Sequence, residues 1–166
     1  SANGKVTAPV GTDLTTIDWT QYFTAEDGFD GVMDPALATY EVEGRVDANT
    51  IGAYQAKAIF TDKAGNEGSA KVDVIIYNAE NTTAPTLTVK AELPTIALDT
   101  DMATIDWAGS YVETAVDADG LDVKGNVEAD MADLDTSFPG LYAVTLSVAD
   151  YAGNTAEVEI EVEVVE

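Results

Sequence analysis

The chain has 166 residues, 46% of them hydrophobic, with no cysteine, no histidine, and 7 basic against 31 acidic side chains for a net charge of −24. Disulfides, Cys/His zinc sites and catalysis by imidazole or thiolate are thereby excluded. Nucleic acid and anionic membranes are unsuitable partners for so much negative charge, and apolar runs as short as Val74-Ile75-Ile76 give no segment for membrane insertion.

In chain order, Ser1-Ala2-Asn3-Gly4 reads as linker rather than a native start, with no charged-then-apolar leader, so the chain is expected to be a piece of something longer. Thr12-Asp13-Leu14-Thr15-Thr16-Ile17-Asp18-Trp19 follows and recurs 88 residues later as Thr100-Asp101-Met102-Ala103-Thr104-Ile105-Asp106-Trp107. Trp19 shares parity with Ile17, and Trp107 with Ile105. That parity favours a core position for both indoles over the competing role of sugar-stacking platforms. Asp27, Asp30 and Asp34 come next, and Asp117, Asp119 and Asp122 form a similar group in the second half. Crowded carboxylates repel unless a cation bridges them, which makes these six candidate Ca²⁺ ligands. The spacing is not that of an EF-hand, and solvated acidic loops are the competing reading.

Asp47, Gly52 and Tyr54 precede a run in which Tyr54, Ala56, Ala58 and Phe60 alternate with other residues. Asp62-Lys63-Ala64-Gly65-Asn66 then forms a turn, with Asp62 capping its N–H groups, and Ala70, Val72, Val74 and Ile76 alternate beyond it. Alternation with period two predicts half-buried strands, and the Gly–Asn turn joins them as a hairpin. The polar run Asn78–Pro85 marks a boundary, giving domains 1–79 and 80–166. Thr86–Ala91 reads as a strand with no counterpart inside the first copy. The first domain is therefore expected to lack or have lost its opening strand, unless Lys5–Val10 replaces it. The second copy repeats the rest 88 residues on, with Gly140-Leu141-Tyr142 and Asp150-Tyr151-Ala152-Gly153-Asn154. In its last strand Val158, Ile160, Val162 and Val164 alternate with four glutamates. Trp19, Tyr54, Asp62 and Asn66, with Trp107, Tyr142, Asp150 and Asn154, are the expected structural residues. A tyrosine placed as Tyr54 and Tyr142 are can form the tyrosine corner of a Greek-key sandwich.

The run Leu134-Asp135-Thr136-Ser137-Phe138-Pro139-Gly140-Leu141-Tyr142-Ala143-Val144-Thr145, followed by Asp150-Tyr151-Ala152-Gly153-Asn154, resembles bacterial cell-surface immunoglobulin-like repeats. Ala25-Glu26-Asp27-Gly28-Phe29-Asp30-Gly31 matches their upstream acidic segment; the second copy shortens it, and Thr-Ile-Asp-Trp is not a usual signature of the family. The resemblance implies an all-β chain of two tandem immunoglobulin-like antiparallel β-sandwiches, extracellular or cell-surface, non-enzymatic and needing no cofactor. Its expected role is as a spacer, stalk or adhesion segment of a larger bacterial protein. A module recognising a surface glycan or protein, and an S-layer lattice segment, are the alternatives. The partners would be such a ligand or the neighbouring domains of the parent chain.

Overall fold

The computed structural model describes residues 1–29 and 31–166. Strands take up 45% of the chain against 13% in helical turns, which makes it all-β. It divides into two compact units, Ser1–Ala79 and Glu80–Glu166. Among the described residues no helix is long and apolar enough to cross a membrane.

In the first unit β1 (Lys5–Pro9) buries Val6 and Ala8 and turns Lys5, Thr7 and Pro9 outward. Two 3-10 turns, Leu14–Thr16 and Trp19–Tyr22, lead to the hairpin of β2 (Ala25–Asp27) and β3 (Gly31–Met33). A further turn, Pro35–Leu37, precedes β4 (Thr39–Glu41), β5 (Gly52–Thr61) and β6 (Glu67–Tyr77). The larger sheet has the order β1-β6-β5-β4. β5 and β6 are antiparallel from Gly52↔Ile76 to Thr61↔Glu67, whereas β1 runs parallel to β6 from Lys5↔Asp73 to Pro9↔Tyr77. The alternating residues close the core: Ala56, Ala58 and Phe60 meet Val72, Val74 and Ile76, with Phe23 and Trp19 packed over them.

The second unit opens with β7 (Thr86–Val89), β8 (Ile96–Ala97) and a 3-10 turn at Met102–Thr104. The one-turn helix α1 (Trp107–Tyr111) runs into β9 (Val112–Val116), and then come β10 (Val127–Asp130), β11 (Gly140–Ala149) and β12 (Thr155–Val165). The larger sheet has the order β10-β11-β12-β8, with β8 parallel to β12, and β7 pairs antiparallel with β9. Leu87, Val89, Val112 and Ala115 from the small sheet share one core with Val144, Leu146, Ile160 and Val162 from the large one, a sandwich-like arrangement.

Two expectations change. Trp19 and Trp107 are buried as expected, but not by alternation along a strand: each opens a short helical turn, and Ile17 and Ile105 follow the 3-10 turn before it in extended backbone. Asp13, Asp18, Asp101 and Asp106 stand immediately before those turns and accept their backbone N–H groups. A carboxylate at such a position satisfies amides that a helical turn leaves unpaired, so local capping overrides the strand parity. Nor does Lys5–Val10 replace the opening strand. Ala8 faces Ile76 and Ile96 faces Val164, 88 residues apart in both cases, so β1 is the counterpart of β8. The place of β7 is approached instead by Ser1–Asn3, whose Ala2 bridges Phe23.

Candidate functional site

Many of the aspartates that contribute to the negative charge are engaged with their own turns. Asp13 Oδ1 accepts the N–H of Thr15 at 3.0 Å and its hydroxyl at 2.7 Å; Asp106 Oδ1 accepts Gly109 N–H at 2.8 Å. A Cβ on Gly109 would lie 2.1 Å from Asp106 Oδ2, so this cap requires glycine there. The Thr15 hydroxyl first, and then its N–H, hold the Asp13 carboxyl below the ordinary value of 3.8. Thr50 and then Asn49 do the same for Asp47, and the Asn66 side chain and then its N–H for Asp62. Tyr40 moves the other way: burial, then the charges of Asp18 and Asp34, push its hydroxyl up.

Four of the six candidate Ca²⁺ ligands, Asp27, Asp34, Asp117 and Asp122, take part in the same pattern. Asp27 Oδ1 accepts Phe29 N–H at 2.8 Å and Asp34 Oδ1 accepts Ala36 N–H at 2.9 Å; Asp30 lies outside the described residues. In the second unit Asp117 Oδ1 accepts the N–H groups of Asp119 and Leu121, and Asp122 Oδ1 that of Lys124, while Asp119 is exposed. Calcium needs six to eight oxygens converging on one point. Among the described residues no three acidic side chains gather in a way that could hold a metal ion. Asp27, Asp34, Asp117 and Asp122 are each turned toward the amides of their own turns.

The remaining singled-out residues hold turns and cores. Asp62 accepts the N–H and side-chain amide of Asn66 at 2.8 and 2.7 Å, around Gly65 at φ 89°. Asp150, only 6% exposed, holds Asn154 in the same two ways and also receives Asn81 Nδ2 at 3.2 Å, while Asn154 donates to Asn81 O at 2.9 Å. Tyr54 Oη donates to Thr50 O, and Tyr142 Oη to Phe138 O, each at 2.9 Å. Trp19 and Trp107 are 9% and 8% exposed and pack on Tyr22 and Tyr111. Both indoles therefore belong to the cores of their units, and Trp19 also borders a cleft.

A cleft of about 640 Å³ in the first unit is a feature the sequence did not single out. Trp19, Tyr40 and Val42 line it together with Asp13, Asp47 and Asn49 from the adjoining turns. An apolar floor with a few polar groups on the rim suits a small polar ligand. The depressed Asp13 and Asp47 carboxyls keep the rim anionic. The sequence signal was the pair of Asp-led turns, which bring residues distant in the chain around one indole. In comparison with known proteins, no family model matches the chain, and no curated protein matches it.

Proposed function

We propose that the chain is a non-catalytic, load-bearing spacer: two tandem immunoglobulin-like sandwiches from an extracellular, cell-surface bacterial protein, serving as a stalk or adhesion segment. The observation that carries this reading is the parallel clasp between the first and last strands of the larger sheet, β1 on β6 and β8 on β12. Tension entering a unit at its beginning and leaving at its end draws parallel neighbours past one another. The ladder bonds are then loaded together in shear instead of opening one at a time. The clasp spans Lys5–Pro9 in the first unit and only Ile96–Ala97 in the second, and it ends alike in both, with Val10 N–H donating to Tyr77 O and Leu98 N–H to Val165 O, each at 2.8 Å. Matching Tyr54 and Tyr142 corners support the immunoglobulin-like assignment, and the resemblance to surface repeats supports the setting.

Stretching the whole chain between its ends tests the proposal. Two separate unfolding events are expected, releasing at most about 260–280 Å for the first unit and about 290–310 Å for the second at full extension, less the folded spans. A chain that extends without a resolved event would refute load bearing. The cleft around Trp19 and Tyr40 favours a second reading, recognition of a glycan. That reading predicts glycan-array binding lost on Asp47→Ala or Asn49→Ala.

A further inference from the structure

The two units are built differently around their buried indoles. Tyr40 faces Ala58 and Ala129 faces Leu146; Ala58 and Leu146 are 88 residues apart, so Tyr40 and Ala129 are counterparts. The next strand residues, Glu41 opposite Lys57 and Asp130 opposite Thr145, keep that correspondence, which continues to Glu43 and Ala132. Gly11 N–H donates to Ala48 O and Asp99 N–H to Thr136 O, which pairs Ala48 with Thr136. Thr136 is buried, and its hydroxyl donates to Thr100 O at 2.9 Å. Ala48 has no hydroxyl to make that bond and lines the cleft of about 640 Å³ instead. The first unit thus has a smaller residue in the cleft wall, a phenol ring in place of a methyl group, and a carboxylate where the second unit has alanine.

Leu14, Tyr40 and Val42 give the cleft an apolar strip, and Asp13, Glu43 and Asp47 stand around it. Among the described residues that line it there is no lysine or arginine, and the guanidinium of nearby Arg45 is turned to Glu41 at 2.9 Å. Asp13 Oδ1 already accepts the hydroxyl and N–H of Thr15; Asp47 accepts the Thr50 hydroxyl at 2.7 Å and Asn49 N–H at 2.9 Å. Those bonds, the hydroxyls first, hold both carboxyls low and therefore charged at neutral pH. The rim thus offers negative charge more than open acceptor positions, which favours a cation over a neutral hydroxyl. Among the described residues no three acidic side chains gather in a way that could hold a metal ion. Charge spread around an apolar strip suits an organic cation with apolar surface of its own.

We propose that the cleft recognises a protonated amine carried on a sugar ring, the ammonium group of a deacetylated amino sugar. The apolar face of the ring lies on Tyr40 and Val42, and the ammonium stands among Asp13, Glu43 and Asp47. The inference rests on the reading of this cleft as a glycan site and supplies the chemistry that selects the glycan. N-acetylation keeps the ring and removes the positive charge, so it removes the attraction and leaves the apolar contact.

The test is calorimetric titration of the full chain with a glucosamine tetramer and with its fully N-acetylated counterpart. Salt at about 0.15 M screens diffuse attraction between a cationic sugar and the net charge of the chain. The free-amine tetramer is expected to bind at one site per chain, about tenfold or more tightly than the acetylated one. Glu43→Gln removes a rim charge and is expected to weaken that binding about two- to fivefold, the range of an exposed ion pair. Ala48→Thr installs the side chain of the second unit in the cleft wall and is expected to weaken it about fivefold or more, with the melting transition retained. Asp101→Asn removes the same charge from the counterpart of Asp13, which does not line the cleft, and is expected to leave affinity unchanged. Equal weakening by Glu43→Gln and Asp101→Asn, or full binding to Ala48→Thr, would overturn the proposal. Equal affinity for the two tetramers would overturn the amine and leave the glycan reading standing. So would silence with both tetramers beside a glycan-array signal that Asp47→Ala abolishes, whereas silence in titration and array alike would overturn both.

Discussion

Replacing Gly52 by alanine tests how the tyrosine corner is built. A Cβ at Gly52 would lie 3.3 Å from both Cε2 and Oη of Tyr54, whereas at Gly140 the same atoms of Tyr142 are 3.6 and 3.7 Å away. The second spacing is ordinary contact; the first forces the Tyr54 ring to give way and strains its 2.9 Å bond to Thr50 O. A hydrogen bond of this kind contributes about 1 kcal/mol, and exchanging glycine for alanine gains about 0.4–1 kcal/mol by restricting the unfolded chain. Gly140→Ala is therefore expected to be neutral or stabilising, and Gly52→Ala to fall about 1 kcal/mol below it once the bond is lost. In calorimetry of the full chain that difference moves a transition of this domain size by about 4–8 °C. Tyr54→Phe removes the Oη contact, so in that background the cost of Gly52→Ala should shrink by about 0.5 kcal/mol or more. Equal shifts at the two glycines, or no coupling to Tyr54, would refute the reasoning.

Trp107→Ala empties a site only 8% exposed and is expected to cost about 3–5 kcal/mol; an unchanged melting temperature would show that the indole adds nothing to the core. Asp13, Asp47 and Asp62 have depressed folded values, so the stability they contribute is present above 3.8 and is lost as pH falls below it. Acid titration should lower the melting of the first unit in that range, and Asp47→Asn should flatten the fall; an identical pH profile for the variant would contradict this. In the second unit Asp117 and Asp122 are engaged by turn amides. Millimolar Ca²⁺ is therefore expected to raise its melting temperature no more than NaCl of equal ionic strength, and a saturable Ca²⁺ heat would overturn that expectation.

The long hairpins were legible because their side chains obey a period of two that no turn interrupts: Val144, Leu146 and Val148 are buried, as are Ile160, Val162 and Val164. The tyrosine contacts were legible from Gly-x-Tyr, since a residue without a Cβ leaves room for the ring to lie back. Residues 12–19 placed Trp19 in the core but not its local structure, because apolar parity carries no mark distinguishing a strand from two short capped turns. The discriminating signal was Asp13 and Asp18, each two residues before a threonine that donates its N–H to it. The acidic clusters were only partly legible for a related reason: proximity in sequence shows carboxylates together, while the turn amides that orient Asp27, Asp34, Asp117 and Asp122 belong to the folded backbone. The parallel pairing of β1 with β6 was not legible, because its register depends on residues almost 70 positions apart.

The load-bearing reading is tested most directly by stretching three forms of the chain between its ends. Val10 N–H donates to Tyr77 O, so alternation points the Val6 and Ala8 amides toward β6 and the Thr7 amide away from it, along the sheet edge. Ala8→Pro removes a clasp bond, whereas Thr7→Pro removes a donor that takes no part in the clasp. The account predicts that the first unit's unfolding force falls in Ala8→Pro and stays near that of the parent chain in Thr7→Pro. Equal forces in all three forms, or an equal loss in both variants, would contradict a parallel clasp that carries the load.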